Sequence, residues 1–284
     1  MSIRNELFAL AARALEALPP LRMRRILIAN PRPAPDREAE FGLLSFENGS
    51  VGLYYAWLGK SQSDMPERFD PAALRRQSPL EISRYYLGDS DAERSVGLAA
   101  INAVTDAIYR AAGHELATAP DSMGGLTLEP DDRLGMIGNF PSLVHRARER
   151  GVEVNVVERK RHMVGETNGV RITLDPGVLR DCNKIICSGA TLLNDSLDEM
   201  LAYCADAEHI ALIGPTVGFF PDPVFARGID IVGGTRIVDG DRAAERLETG
   251  MNFGDSAVRT VITPADYPGF DRLLEDAQAG TVSP

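Results

Sequence analysis

Three short apolar runs, each followed by small and hydroxyl residues, dominate the stretch from Lys184 to Asp239. The runs cover 185–187, 210–213 and 229–232, and amphipathic segments separate them. Short apolar runs of this kind are typical of parallel strands buried on both faces. Loops that follow parallel strands gather at one edge of the sheet, where open α/β sheets bind ligands. The predicted pocket walls are Ser188, Gly189, Ala190, Thr191, Asn194, Gly214, Pro215, Thr216, Gly233, Gly234 and Thr235.

A strand, turn, helix and second strand are predicted upstream, over 133–157. Such a unit begins a dinucleotide-type fold, and Glu158 lies 20 residues after Gly138, near the offset at which an acid binds a ribose hydroxyl. The glycine fingerprint is incomplete, so two interpretations stay open. One is a glycine turn that serves only the fold. The other is an adenosine-cofactor site formed by Gly135, Gly138, Asn139, Phe140 and Glu158.

The residue pattern in the first third of the chain predicts an α+β unit that is smaller than the sheet region that follows. Apolar positions at three- and four-residue steps from Ile3 to Leu18 indicate an amphipathic helix. The apolar runs 41–46 and 51–57 flank Asn48-Gly49, which is the strongest short signal for a β-hairpin. Residues 91–112 predict a long helix. The following proline- and glycine-containing stretch marks a boundary.

We therefore expect an α/β protein with two domains. Residues 1–115 form the α+β domain, and residues 116–284 form a Rossmann-like, mostly parallel sheet that binds the ligand. The helix over 91–112 carries Asn102 within an apolar run, where a buried amide needs partners. Asn102 either faces the cleft between the domains or is a satisfied core group. The aromatic residues Tyr54, Tyr55 and Trp57 are either a ligand lid or, as the pattern favours, strand residues packed on the helices.

Composition narrows the range of partners. The 284 residues carry a formal net charge of −11, with 44% hydrophobic and 25% charged residues. An acidic globular chain disfavours nonspecific contact with nucleic acid or anionic membranes, so we expect neither as a partner. Three cysteines fit a reducing compartment. No apolar run is long enough to span a bilayer, and charges interrupt the N-terminal helix where a signal peptide needs an apolar core. We expect a cytoplasmic protein.

The familiar catalytic motifs are absent from the sequence. It has no Walker loop, HExxH, CxxC or G-x-S-x-G motif, and its four histidines show no metal-ligand spacing. Cys187 ends an apolar run and is a candidate to face the pocket. Oxygen ligands for a metal remain open at Asp195, Asp222 and Asp239. The residues alone assign no catalytic group.

Four segments carry a resemblance to a known family. They are GLAAINA at 97–103, GMIGNFP at 135–141, SGATLLNDSLDEML at 188–201 and LIGPTVGFFPDPVF at 212–225. In this order they resemble the family named for putative heavy-metal chelation. The resemblance covers nearly the whole chain. It implies an enolase N-terminal-like first domain followed by a Rossmann-like domain.

Three functions follow as hypotheses. The resemblance implies a protein that handles a metal or metal chelate in the cleft between the domains. The Rossmann-like sheet would equally suit an enzyme that uses S-adenosylmethionine or another adenosine-containing cofactor, since fold does not fix function. A noncatalytic sensor or assembly protein is the third. All three take a small-molecule ligand, and alanine-rich helices make a homo-oligomer plausible.

Overall fold

The computed structural model describes residues 1–29, 40–56, 58, 61–119, 121 and 123–281. The helices are α1 (Ile3–Ala17), α2 (Ser61–Arg68), α3 (Pro71–Leu74), α4 (Pro79–Arg84), α5 (Asp91–Ala111), α6 (Pro141–Glu149), α7 (Ala190–Leu193), α8 (Leu197–Leu201), α9 (Asp222–Phe225), α10 (Gly240–Glu248) and α11 (Phe270–Thr281). The strands are β1 (Met23–Leu27), β2 (Phe41–Phe46), β3 (Val51–Tyr55), β4 (Ala117–Thr118), β5 (Arg133–Ile137), β6 (Glu153–Val157), β7 (Gly165–Thr167), β8 (Val170–Thr173), β9 (Lys184–Ser188), β10 (His209–Ile213), β11 (Ile231–Ile237) and β12 (Ala257–Ile262). Trp57, which the sequence assigns to a strand, lies outside the described residues.

The N-terminal unit is a three-stranded antiparallel sheet in the order β1-β2-β3, covered by helices. The predicted hairpin is confirmed: Gly49 has φ +84°, and the Asn48 carboxamide oxygen accepts the Ser50 N–H at 3.1 Å. α5 begins in a capping box, in which Ser90 and Glu93 bond each other's backbone. Most of α5 is buried because helices and β3 cover it on several sides.

The larger sheet has the order β4-β12-β11-β10-β9-β5-β6-β8-β7. Six neighbouring strands, β8-β6-β5-β9-β10-β11, are parallel. Counted along the chain from β5, they lie in the 3-2-1-4-5-6 order of a Rossmann fold. β4, β12 and β7 extend the edges as antiparallel strands. The prediction of an α/β fold with a smaller α+β unit and a mostly parallel sheet is confirmed.

The two units share a hydrophobic core. One cluster of buried residues contains Val104 of α5, Leu212 of β10 and Leu273 of α11. Close packing of β3 on α5 requires Gly52, because a Cβ there would lie 1.9 Å from the Ala99 carbonyl oxygen. α11, near the C-terminus, packs back on α1 and α5. The boundary after residue 115 stays a prediction, although this packing ties the units closely.

Two features of the sequence pattern predict local structure wrongly. Asn194, followed by acids at 195, 198 and 199, predicts a helix from about Asp195 with Asn194 as its N-cap, but Asn194 follows the last residue of α7 and Asp195 takes φ +59°. Ser196 precedes α8 instead, so a left-handed residue separates two short helices. The sequence pattern also ends its helices before α11, whereas the described chain continues as helix to Thr281.

Helix length bears on membrane contact. Of the helices in the described ranges, none combines the length and apolar character that a bilayer crossing needs.

Candidate functional site

The carboxyl ends of β5 and β9 meet where the strand order reverses. After β5 the chain passes to β6 on one side, whereas β9 lies on the other. Gly138 follows β5 with φ +94°, and its N–H donates to the Val157 carbonyl at 2.9 Å. A Cβ on Gly138 would lie 3.1 Å from the Ser188 Cβ. Open α/β sheets bind ligands at such switch points. We call the region around Gly138, Ser188, Gly189, Gly214 and Glu158 the crevice.

Backbone contacts join the loops that follow β9, β10 and β11. Gly189 N–H donates to the Ile213 carbonyl at 2.8 Å, and Gly214 N–H donates to the Gly233 carbonyl at 2.9 Å. A Cβ on Gly189 would lie 2.5 Å from the Val217 Cγ2 atom. The structure therefore brings together the three loops predicted as pocket walls. Their close contact depends on glycine, because a side chain would push the loops apart.

Part of the loop after β9 is closed to a ligand. Thr191 is buried, and its hydroxyl donates to the Ser188 carbonyl at 2.7 Å. The Cys187 thiol lies 3.4 Å from the same hydroxyl, and burial raises its pKa to about 12. Cys187 is fully buried, so the expectation that it faces the pocket is wrong. Ser188 is half-buried, so its side chain is the one in this loop segment that stays open to a ligand at the sheet edge. Its Oγ accepts the Ala190 N–H at 3.2 Å.

Glu158 stands directly after β6, the strand next to β5. Its Oε1 accepts the N–H groups of Arg159 at 2.7 Å and Lys160 at 3.2 Å. Tyr55, the last residue of β3, is close enough to interact electrostatically with this carboxylate. Burial, with Glu40 and Glu158 adding to it, raises the pKa of Tyr55 to about 12. The N-terminal unit thus contributes a neutral phenol beside the carboxyl end of β6.

Three of the predicted cofactor residues lie away from the switch point. Gly135 is buried within β5, where a Cβ would lie 2.6 Å from the Ile185 Cδ1 atom, so this glycine serves packing. Asn139 lines an open groove with residues of α6 and β8. Phe140 precedes α6 and packs against the apolar cluster on that side of the sheet.

Pro215 and Thr235 line a small cavity against α5. Asn102 joins α5 to both units here: its Nδ2 donates to the Leu53 carbonyl at 3.1 Å and to the Thr216 carbonyl at 2.8 Å. Asn102 is therefore a buried amide at the junction of the units, and only its Nδ2 is paired within the described residues. The glycines, prolines and phenylalanines of the loop 214–223 predict an apolar pocket rim, but Phe219 and Phe220 are fully buried in the core.

The predicted oxygen ligands lie in separate places. Asp195 pairs with Arg4 at 3.0 Å, and Asp239 caps α10 through the Arg242 N–H at 3.0 Å. Asp222 accepts the Tyr267 hydroxyl at 2.7 Å. Within the described ranges, no group of three histidine, cysteine or acidic side chains could hold a metal. Heavy metals prefer thiolate and imidazole ligands, whereas the crevice offers hydroxyl, backbone and carboxylate groups. These donors do not fit a heavy metal held directly by the protein.

Sequence reasoning missed Asp106, Tyr109 and Arg236. Asp106 accepts the Arg236 Nε–H at 2.8 Å, and Tyr109 is buried beside them. A usable signal was present, because Asn102, Asp106 and Tyr109 follow at four- and three-residue steps and so share one face of a helix. Arg236 lies on β11 and had no local signal.

Comparison with known proteins places the chain in a family. Residues 122–262 match the DUF364 family, described as "Putative heavy-metal chelation". An uncharacterized protein from Methanocaldococcus jannaschii is 31% identical over 157 residues, which cover 53% of this chain and 57% of the relative. The chain thus spans a little over half the length of this curated relative.

Two solved structures share the fold. Both are DUF364 proteins of unknown function. The one from Pyrococcus horikoshii is 21% identical, covering 90% of this chain and 99% of its own, with a TM-score of 0.66. The one from Desulfitobacterium hafniense is 16% identical, covering 91% and 98%, with a TM-score of 0.65. The chain belongs to the DUF364 putative heavy-metal chelation family.

Proposed function

We propose that this protein binds a small molecule in the crevice at the switch point of its sheet. The observation that carries the proposal is the approach of Gly138 to Ser188 at the carboxyl ends of two adjacent strands, where a Cβ on Gly138 would lie 3.1 Å from the Ser188 Cβ. A ligand there meets peptide groups, the Ser188 hydroxyl and the Glu158 carboxylate. A few convergent polar groups of this kind suit an organic ligand of moderate size.

An adenosine-containing cofactor, such as S-adenosylmethionine, is the ligand that the crevice geometry favours. In a 3-2-1-4-5-6 sheet, the acid after the second strand accepts the ribose hydroxyls. Glu158 occupies that position after β6. Its Oε1 is bonded to the backbone, and its Oε2 makes no hydrogen bond within the described part of the chain. The carboxylate is thus oriented with one oxygen left to accept from a ribose.

A metal chelate is the second candidate, and the family description supports it. The donors at the crevice suit the organic periphery of a chelate better than a bare metal, because hydroxyl and backbone groups bond carboxylates and amides. In this alternative the metal is cargo, already ligated by its own organic molecule. Glu158 and Ser188 would then contact the periphery of that molecule.

Calorimetric titration of the whole chain with S-adenosylmethionine, S-adenosylhomocysteine and cobinamide, a cobalt corrinoid, tests the proposal. We expect one adenosine compound to bind, and Glu158→Gln to weaken it by roughly 10- to 100-fold, because a hydrogen bond to a charged group is lost. Glu153→Gln is the matched control. Glu153 is an exposed acid at the other end of the same strand.

The outcomes separate the two candidates. Binding of cobinamide, without binding of either adenosine compound, would favour the chelate. Equal weakening by Glu158→Gln and Glu153→Gln would remove Glu158 from the site. Binding that survives replacement of Ser188 by the bulky Leu, in a variant that keeps its melting temperature, would place the ligand outside the crevice.

A further inference from the structure

A second, smaller cavity lies between α5 and the antiparallel edge of the large sheet. We call it the α5 cavity, and its volume is about 30 Å³. That volume holds one or two waters, or one small polyatomic ion. Its walls come from β3, α5, the loop after β10, β11 and β12. The polar residues in these walls are Asn102, Asp106, Tyr109, Thr235, Arg236 and Thr260.

Two buried polar atoms in these walls have no hydrogen-bond partner in the part of the chain that the structure describes. The Nδ2 of Asn102 is used by two carbonyls, which leaves its Oδ1 as an acceptor without a donor among the described residues. The Tyr109 hydroxyl is likewise buried and unpaired within that part of the chain. Asn102 and Tyr109 are only 4% and 2% exposed. Because an unpaired buried polar group costs free energy, two such groups in one cavity indicate an occupant.

Asp106 and Arg236 form an ion pair in the cavity wall, and Arg110 joins it from the surface. Asp106 accepts from Arg236 Nε and from Arg110 Nε, each at 2.8 Å, and also from the Val51 N–H at 3.1 Å. Two guanidinium groups thus share one carboxylate. Arg236 contacts Asp106 through Nε only, and its two Nη groups make no hydrogen bond within the described ranges. These Nη groups are therefore left to donate to an anion.

Tyr109 and His114 are the other titratable side chains close to Arg236, and both are uncharged at neutral pH. Burial, with Asp222 and Asp106 adding to it, raises the pKa of Tyr109, so its phenol keeps its proton and can donate. His114, whose ring centroid lies 5.4 Å from that of Tyr109, has its pKa lowered by burial and by Arg236. His114 is therefore neutral at neutral pH and adds no charge. Hydroxyl donors are also available from Thr235 and Thr260.

We propose that the α5 cavity binds a small oxyanion that carries its own hydroxyl, of the hydrogen carbonate or hydrogen phosphate type. Arg236 and Tyr109 donate to the charged oxygens. The hydroxyl of the anion donates to the Oδ1 of Asn102, which a fully deprotonated anion cannot do. The site is distinct from the crevice, and the proposal does not rest on the function proposed there.

Titration of the whole chain with sodium hydrogen carbonate, sodium phosphate and sodium nitrate, at matched ionic strength, tests this site. Nitrate has the planar shape of hydrogen carbonate but no hydroxyl. We expect hydrogen carbonate or phosphate to bind saturably and to raise the melting temperature, and nitrate to bind roughly tenfold more weakly.

Two tyrosine variants supply the matched pair. Tyr109→Phe removes a hydroxyl that no described residue bonds, so we expect an unchanged melting temperature without anion and about tenfold weaker binding. Tyr86→Phe removes an equally buried hydroxyl that donates to the Leu192 carbonyl at 3.3 Å. We expect this control to lower the melting temperature and to keep anion binding.

Several results would overturn the proposal. These are equal shifts by nitrate and hydrogen carbonate, no saturable shift by any of the three salts, or full binding by Tyr109→Phe. A crystal structure grown with hydrogen carbonate or phosphate that holds only water between Asn102 and Tyr109 would also overturn it.

Discussion

The crevice and the α5 cavity border the same loop, Gly214 to Gly218, yet backbone groups form most of one and side chains form most of the other. The crevice consists mainly of backbone groups at the ends of parallel strands, brought close by Gly138, Gly189 and Gly214. The polar groups of the α5 cavity are mainly side chains of α5, β11 and β12, and β3 and the loop after β10 complete its walls. A backbone-built site depends on glycine, whereas a side-chain-built site depends on individual hydroxyl, amide and guanidinium groups. We therefore expect replacement of glycine to disturb the crevice most, and removal of single polar groups to disturb the α5 cavity most.

The largest expected effect is at Gly234, which packs on the shared loop. A Cβ there would lie 2.1 Å from the Val217 carbonyl oxygen, a backbone atom that cannot move freely. We expect Gly234→Ala to lower the free energy of unfolding by about 3 kcal/mol. Urea denaturation measures the loss. The control is Gly165→Ala, where the new methyl meets no atom within 4 Å. Equal stability of the two variants would contradict the packing argument.

The second effect concerns an ion pair at the amino ends of β5 and β9, at the opposite end of these strands from the crevice. Asp132 and Lys184 form an ion pair of 2.9 Å, with both side chains 9% exposed. Asp132 also accepts from the Glu129 N–H and the Asn183 amide. We expect Asp132→Asn to cost about 3 kcal/mol at neutral pH, because the buried Lys184 charge loses its counter-ion.

The pH dependence of that cost has a definite sign. Desolvation raises the pKa of Asp132, but hydrogen bonds from Glu129, Lys184 and Asn183 outweigh it and hold the pKa below 3.8. A lowered folded-state pKa contributes stability that is full above the unfolded pKa and is lost as the pH falls through the folded one. Urea denaturation from neutral pH down to about pH 3 should show the difference between the wild type and Asp132→Asn shrinking only below about pH 4. A constant difference would show that Asp132 is not the titrating group.

Much of the crevice could be predicted from the sequence because its signals are local. Apolar runs that end in glycine or serine mark buried strands and their carboxyl ends, and these gave the positions of Ser188 and Gly214. The same reasoning included Gly135, whose glycine serves strand packing. It also misplaced a helix start at Asn194, because nothing in the local pattern indicates that Asp195 takes a left-handed conformation.

The α5 cavity could not be predicted in the same way. Its ion pair joins Asp106 to Arg236, 130 residues later in the chain. Periodicity places Asn102, Asp106 and Tyr109 on one helix face, but it does not indicate which strand packs there. The placement of β11 and β12 beside α5 is a tertiary feature.

The third effect tests Asn102, which belongs to both regions. Its amide bonds one carbonyl of β3 and one of the shared loop. We expect Asn102→Ala to cost about 2 kcal/mol, because two buried carbonyls lose their donor. Thermal and urea denaturation measure this. Crevice ligands and small oxyanions should both bind more weakly, since the loop is no longer tied to α5. Weakening of one ligand alone would show that the two regions are independent.

The smallest effect separates the two kinds of site most directly. Ser188→Ala removes a hydroxyl whose Oγ accepts the Ala190 N–H at 3.2 Å, near the start of α7. We expect a stability loss of only about 0.5 kcal/mol, because that N–H is at a half-exposed helix start that water can reach. If backbone groups dominate the crevice, this variant should weaken S-adenosylmethionine less than about threefold, well below the roughly tenfold effect of a lost hydrogen bond to a charged group. Calorimetry on Ser188→Ala, beside Tyr109→Phe with hydrogen carbonate, makes the comparison. A larger loss of ligand affinity in Ser188→Ala than in Tyr109→Phe would contradict the contrast between the two sites, because the crevice would then depend on a side chain.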